Sequence, residues 1–302
     1  MNIGIFGAGA MGTLFAYRLA ATHDVTLLEV RRDVVDAINR EGIRIDGEPT
    51  RVVRATTEPR ELFGSQVLFI FVRATDTLRA LRPFVGELSP ACALISLQNG
   101  LGNEEAIKTA LGGHIALVIG ATTESSLTLG HGVARRVGIG QTVVGSGGAS
   151  PETCNRIARM IDDVGIPTST TYDIRPHLWG KLIANSAINP VAALLDRANG
   201  VVLEDPNAGE IARSLTQEAA TVASAMRIAL PFSDPWSYVR TIVEQTVDLR
   251  NSMLYDLNAG SRTEIDFING AVVTAGRRAG VPTPYNETIV RFVKAREAMG
   301  SR

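Results

Sequence analysis

The sequence is poor in cysteine and histidine, has no excess of charge of either sign and has no long apolar run; each scarcity removes a class of function. Cys92 and Cys154 lack metal-like spacing, and a chain of 302 residues needs no disulfide scaffold, so both are expected as free thiols in the core or on the surface. The four histidines, His23, His114, His131 and His177, have no partner at a metal-ligand or triad spacing, so they are read as structural or surface residues and no metal is expected. Thirty basic against thirty-one acidic residues give a net charge of -1, which makes no electrostatic case for nucleic acid or an anionic membrane. Nowhere do eighteen apolar residues follow one another. The N-terminus has no cationic segment, and glycines break its apolar run, so a cytoplasmic protein is expected. A small-molecule function is left. The length and a hydrophobic content of 45% are enough for two packed domains.

What is present begins at residue 3. Ile3 to Phe6 reads as a short buried strand running into Gly7-Ala8-Gly9-Ala10-Met11-Gly12, and a helical pattern through Leu14, Phe15, Tyr17 and Leu19 follows. This is Gly-x-Gly-x-x-Gly between a strand and a helix, the setting in which it binds a dinucleotide. Gly7 allows the tight turn, Gly9 lets the backbone approach a pyrophosphate, and Gly12 lets the helix pack on the sheet. The next strand, Val25 to Glu29, ends in an acid about twenty residues on, where a carboxylate can hold the adenosine ribose hydroxyls of NAD. Arg31 and Arg32 follow at once, and a guanidinium there would instead suit the 2'-phosphate of NADP. Because a carboxylate at the strand tip repels that phosphate, the balance leans to NAD. The plain alternative for Glu29, Arg31 and Arg32 is a solvated turn leading into a helix over Asp33 to Asn39.

Further along, Ile43 to Ile45 and Arg51 to Val53 flank a turn and suggest a small marginal hairpin. Val67 to Val72 and Ala93 to Leu97 are continuous apolar runs, as expected of central parallel strands covered on both faces. Ala116 to Ile119, Ala134 to Ile139 and Thr142 to Val144 are expected to complete the sheet, partly antiparallel. A helix capped by Ser150 is expected over Pro151 to Val164. In a doubly wound sheet the ligand lies outside the carboxyl ends of the strands, which would bring Gly7 to Gly12, Arg73 and Asn99 to one crevice. Asn99-Gly100 also reads as a simple turn, and Arg73 as a surface charge.

Beyond Tyr172 the strand signals vanish, which predicts an α/β dinucleotide-binding domain over 1–170 and an all-helical substrate domain over 171–302. Helices are expected from about Asp173 to Leu195, Ala208 to Arg227, Pro235 to Tyr255 and Glu264 to Ala279. Thr263 and Asp266 resemble a capping box that would set Glu264 in the first turn of the last one. Within Trp179 to Asn189, the residues Lys181, Asn185 and Asn189 recur every fourth position and share one helix face, leaving Leu182, Ile183 and Ile188 for packing. Pro190 is expected to kink or break the far end. An amine and two amides aligned this way could hold a small substrate rich in oxygen; the plain alternative is a snorkelling lysine and local amide hydrogen bonds.

These segments form an ordered series: Gly-Ala-Gly-Ala-Met-Gly, then Gln98-Asn99-Gly100-Leu101-Gly102, then Leu178-Trp179-Gly180-Lys181-Leu182 with Asn185 and Asn189-Pro190. Asn199-Gly200, Ser252-Met253-Leu254 with Asp256, Thr263-Glu264-Ile265-Asp266 and Ile268-Asn269-Gly270 continue it. Together they resemble the ketopantoate reductase family, the 2-dehydropantoate 2-reductases, along nearly the whole chain. The resemblance implies a Rossmann-like domain followed by an all-α domain of the 6-phosphogluconate dehydrogenase C-terminal type. It also implies reduction of 2-dehydropantoate to (R)-pantoate with NADPH or NADH, on the route to pantothenate and coenzyme A. By the same resemblance Lys181 is the general acid and Glu264 helps hold the substrate. Asn99, Asn185, Asn189 and Ser252 bond substrate or cofactor, and Asn199 has a related binding role.

The chemistry agrees with that assignment: hydride delivery puts negative charge on a carbonyl oxygen, and an ammonium within reach both stabilises the charge and supplies the proton. Two positions depart from the family pattern. Arg73 stands where many members carry lysine, and Val30, after Glu29, stands where NADPH-dependent members commonly carry arginine. The rival readings are a reductase of another branched or hydroxylated 2-oxo acid, and a nicotinamide-binding regulator without turnover. A homodimer through a face of the helical domain is compatible with the sequence, which carries no sustained heptad to identify one.

Overall fold

The computed structural model describes residues 1–113 and 115–300; His114 lies outside the described residues. The chain forms two compact units, one of Met1–Gln98 with Asn103–Ile174, the other of Asn99–Gly102 with the residues from Arg175 onward.

The first unit contains, in chain order, β1 (Asn2–Phe6), α1 (Ala10–Leu19), β2 (Asp24–Leu28), α2 (Arg32–Glu41), β3 (Arg44–Ile45), β4 (Arg54–Thr56), β5 (Val67–Ile70) and α3 (Thr77–Leu81). It continues with β6 (Ala93–Ser96), α4 (Asn103–Leu111), β7 (Ala116–Thr122), β8 (Ser125–Gly130), β9 (Val133–Gly138), β10 (Thr142–Ser146), α5 (Pro151–Asp162) and β11 (Thr168–Thr170). Eight strands make one sheet in the order β11-β10-β7-β6-β5-β1-β2-β4. All its pairings are parallel except β7 with β10. β5 and β6 are buried along their whole length, which is why their sequences show apolar runs without alternation. Phe6 pairs with Leu28 and Ile70, and Ile70 with Ser96, so the loops after β1, β2, β5 and β6 leave the same sheet edge. α1 packs there through Phe15, whose ring lies 5.7 Å from that of Phe69 and 4.8 Å from that of Phe71. Each such buried ring contributes about 1.5 to 3 kcal/mol. Cys92 and Cys154 are free and buried, and burial pushes the Cys92 thiol up to about 11.

Two expectations for this unit are corrected. The hairpin at 43–53 reduces to one antiparallel bridge, Ile43 to Arg51, because Arg44 and Ile45 pair in parallel with Val133 and Ala134 instead. β9 therefore does not complete the main sheet but joins β3 and β8 in a separate three-stranded one. β8 carries too little apolar alternation to mark it as a strand, and none of its residues is buried.

The second unit is helical: α6 (Arg175–Leu194), α7 (Val201–Glu204), α8 (Pro206–Ala225), α9 (Pro235–Gln245), α10 (Ser252–Asn258), α11 (Asn269–Ala279) and α12 (Pro284–Gly300). α6 and α8 approach through small side chains, Ala184, Ala187, Ala212 and Ala219 among them, all buried. Asp205, Asp234 and Asn251 cap α8, α9 and α10, each side chain accepting from backbone N–H groups of the first turn.

Three expectations change here. α6 spans Arg175 to Leu194, close to the Asp173 to Leu195 expected, but it does not break at Pro190. The helix expected over Pro235 to Tyr255 is two helices, because the carbonyls of Val247 and Leu249 accept from Gly200 N and Asn199 N, each at 3.0 Å, rather than from a continuing ladder. The last predicted helix starts at Asn269, and Glu264 sits in the turn before it: Glu264 O accepts from Phe267 and Ile268 N, while Phe267 O accepts from Leu101 N at 2.9 Å. Thr263 forms no box with Asp266; its N–H and Oγ1 both donate to Glu297 on α12, a helix that opens at Pro284.

Candidate active site

At the sheet edge the three glycines have different constraints. Gly7 has φ +102°, and a Cβ there would lie 3.0 Å from the Phe71 carbonyl; on Gly12 it would lie 1.8 Å from Gly7 O. A Cβ on Gly9 would meet nothing within 4 Å. Gly9 is also the N-cap of α1, which no side chain caps, so the positive end of the helix dipole has no side-chain acceptor and the space beside Gly9 is open. A diphosphate fits those features: acceptor oxygens for the donors, and no side chain in the way. Ala8, Ala10 and Met11 complete this loop.

Glu29 joins the loop to the tip of β2. Its carboxylate accepts from Ala8 N and from Arg31 N, both at 3.1 Å. The Arg31 guanidinium turns to Asp33, with Nη2 2.6 Å from Oδ2 and Nε 3.3 Å from Oδ1, and this partner holds the Asp33 carboxyl below the usual carboxylate range. His131 Nε2 lies 3.2 Å from Arg31 Nη2 and 3.5 Å from Asp33 Oδ2. Arg32 faces Asp36 at 3.4 Å, and Val30 is 76% exposed. Arg73 is half-buried in the turn after Val72. That turn is held by Gln98, which sequence reasoning did not single out: Gln98 Nε2 donates to Val72 O and Thr77 Oγ1, both at 2.8 Å.

In the second unit α6 places Lys181, Asn185 and Asn189 on one line, with Lys181 and Asn185 half-buried and Asn189 buried. Lys108, Lys181 and Lys294 are the only lysines in the sequence, every other side-chain cation apart from histidine being arginine. A guanidinium does not release a proton in the physiological range, whereas an ammonium can. Burial lowers the Lys181 amine from its ordinary 10.5 to about 8, against the charge of Glu264, which raises it. Glu264 is itself buried, and its Oε2 accepts from Asn99 Nδ2 at 3.2 Å. The Asn99–Gly102 segment is thus part of this unit's site. Gly100 has φ +81°, and a Cβ there would strike Phe267 O at 2.2 Å, so only glycine lets the segment lie against the Glu264 turn.

Asn199 is engaged at both ends. Its Oδ1 accepts from Asn251 Nδ2 at 2.9 Å, and its Nδ2 donates to Thr246 Oγ1 at 3.2 Å. Asn251 also donates to Asn189 O at 3.4 Å, and its Oδ1 accepts from Leu254 N at 3.1 Å, the cap that starts α10 at the half-buried Ser252. Asn251 and Thr246 were not singled out from sequence, although a polar Asn just ahead of Met253-Leu254 carries the N-cap signal. A second amide pair lies deeper: Asn269 Nδ2 donates to Ser186 O and Asn286 Oδ1, both at 2.9 Å, and Asn286 Nδ2 donates to Glu218 at 2.8 Å. Among the described residues no three His, Cys, Asp or Glu side chains gather as a metal site, and no helix is long and apolar enough to cross a membrane.

Residues 3–148 match the family model described as ketopantoate reductase PanE/ApbA, and residues 173–297 match its C-terminal counterpart. A 2-dehydropantoate 2-reductase of Archaeoglobus fulgidus is 32% identical over 304 residues, covering 98% of each chain. One of Pyrococcus horikoshii is 33% identical over 310 residues, covering 99% of each. Among solved structures, a PanE/ApbA family ketopantoate reductase of Ralstonia eutropha superposes with a TM-score of 0.92 at 28% identity over the full length of both chains. A D-mandelate dehydrogenase solved with NADH and anilino(oxo)acetate has the same fold, with a TM-score of 0.91 at 22% identity and 100% of both chains covered. With both family models in order and relatives matched end to end, the chain belongs to the ketopantoate reductase family.

Proposed function

We propose that the protein reduces 2-dehydropantoate to (R)-pantoate with a reduced nicotinamide dinucleotide, and that this step serves cytoplasmic supply of pantothenate and coenzyme A. The observation that carries the chemistry is Lys181, an amine brought to about 8 by burial and kept from falling further by Glu264. An acid with that property retains its proton at neutral pH and gives it up readily to an oxygen that gains charge. Lys181 therefore protonates the reduced carbonyl oxygen and stabilises its charge beforehand. Glu264, steadied by Asn99, keeps the amine charged and accepts a substrate hydroxyl. Asn185, Asn189 and Ser252 orient the substrate without adding charge, and Asn199, with both ends of its amide engaged, acts by fixing Asn251 beside Asn189 rather than by direct contact.

The glycine loop, Glu29 and Arg73 hold the dinucleotide, which when bound supplies the hydride at its nicotinamide ring. NADH is the preferred form: Glu29 occupies the strand tip, Val30 offers no charge, and Arg31 is paired with Asp33.

The test follows reduced-nicotinamide absorbance with purified protein and 2-dehydropantoate, in parallel with NADH and NADPH, for the wild type and Lys181→Ala. Oxidation by the wild type, a fall on the order of 10² to 10⁴ in the variant and retained dinucleotide binding support the reading. Turnover unchanged in Lys181→Ala removes the acid. Oxidation only with other branched 2-oxo acids moves the substrate and keeps the mechanism.

A further inference from the structure

Two arginines follow β2, yet one of them is occupied. The Arg31 guanidinium meets Asp33 at two points, 2.6 and 3.3 Å, while its backbone N–H is bound to Glu29 at 3.1 Å. Arg32 has only a single contact of 3.4 Å with Asp36. Asp33 and Arg31 are 57% and 60% exposed, and an exposed ion pair of this kind adds little to folding. The ion pair therefore adds little to folding, beyond what the Asp33 charge contributes in the first turn of α2. What the carboxylate does is occupy the fork that Arg31 would present to a phosphate, with the same bidentate geometry a phosphate uses. Its Oδ2 also lies 3.5 Å from His131 Nε2, the ring nitrogen that meets Arg31 Nη2 at 3.2 Å and can only accept from it.

We infer that Asp33 is a specificity-determining residue that disfavours NADPH by holding the Arg31 fork, the bidentate donor that would otherwise meet a 2'-phosphate at the end of β2. Glu29 discriminates by favouring ribose hydroxyls; Asp33 discriminates by withholding a cation, which is a separate device and separately removable. Arg31 is then a latent phosphate ligand.

This inference rests on reading the glycine loop as a dinucleotide site, so its test is direct binding and does not depend on turnover. NADH and NADPH are titrated into the wild type, Asp33→Asn and the double variant Asp33→Asn/Arg31→Ala, following nicotinamide fluorescence, with circular dichroism as the check on folding. Asparagine keeps the shape of Asp33 and removes its charge. The expected result is NADPH bound roughly ten-fold tighter by Asp33→Asn, NADH changed by less than about two-fold, and the gain lost in the double variant. The inference is overturned by an NADPH affinity that Asp33→Asn leaves unchanged, by a gain that survives Arg31→Ala, or by a wild type that prefers NADPH. A folded wild type that binds neither dinucleotide overturns the site itself, and this inference with it.

Discussion

Asn269 donates a 2.9 Å hydrogen bond to the carbonyl of Ser186, the acceptor that Pro190, four residues on, leaves without a helical donor. A side chain from another helix thus replaces the missing N–H, and α6 passes through its proline without stopping. Asn269→Leu should cost about 2 kcal/mol, because it leaves that buried carbonyl without its partner. Adding Pro190→Ala should return about 1 kcal/mol of this by restoring a backbone donor. Urea unfolding of the two single variants and the double measures the coupling; strict additivity would show that the two residues act independently.

Gly9 and Gly12 should separate binding from folding. Alanine at Gly12 meets Gly7 O at 1.8 Å and should lower the melting temperature by several degrees and abolish dinucleotide binding. Alanine at Gly9 meets nothing, so stability should hold while dinucleotide affinity falls about ten-fold or more. Calorimetric melting and fluorescence titration check both. Normal affinity in Gly9→Ala would remove the open space above α1 as the phosphate site.

The reductive rate should decline as pH rises through about 8, since the proton-donating form of Lys181 is lost there. Glu264 raises that value, so Glu264→Gln should move the fall to lower pH as well as weaken substrate binding. A kcat profile with the same midpoint in wild type and variant would mean that the carboxylate does not set the acidity of the amine.

The same shift predicts a stability effect. Between about 8 and the ordinary 10.5, the unfolded chain binds the Lys181 proton more tightly than the folded one, so this group's contribution to stability rises with pH across that window. Below it the full cost of burying the cation is present. Lys181→Met should therefore be more stable than the wild type by about 1 to 3 kcal/mol at pH 7, with the gap narrowing by pH 9.5. Urea midpoints at the two pH values test it; a gap independent of pH would sink the electrostatic account.

How far the sequence could be read depended on the range of the cause. Gly7 to Gly12 were legible because their constraint is local: a turn, an approach and a helix packed on its own strand. Lys181, Asn185 and Asn189 were legible because helical period alone aligns them. The break between α9 and α10 was not, because its cause is the Asn199–Gly200 turn, some fifty residues away in sequence, which takes the carbonyls of Val247 and Leu249. The same holds for Asn251, which acts through Asn199 and Asn189, and for the Arg31–Asp33–His131 cluster, whose third member lies on the loop between β8 and β9. Glu264 was found in kind but misplaced in structure, since the Leu101 contact that holds its turn crosses more than 160 residues.

The Asn99–Gly102 segment makes the helical unit discontinuous along the chain. A chimaera joining residues 1–174 of one relative to the rest of another would take Asn99 and Gly100 from one parent and the Glu264–Phe267 turn from its other parent. Four residues are then inherited with the wrong half, so substrate preference should recombine cleanly only when that short piece is transplanted along with the helices.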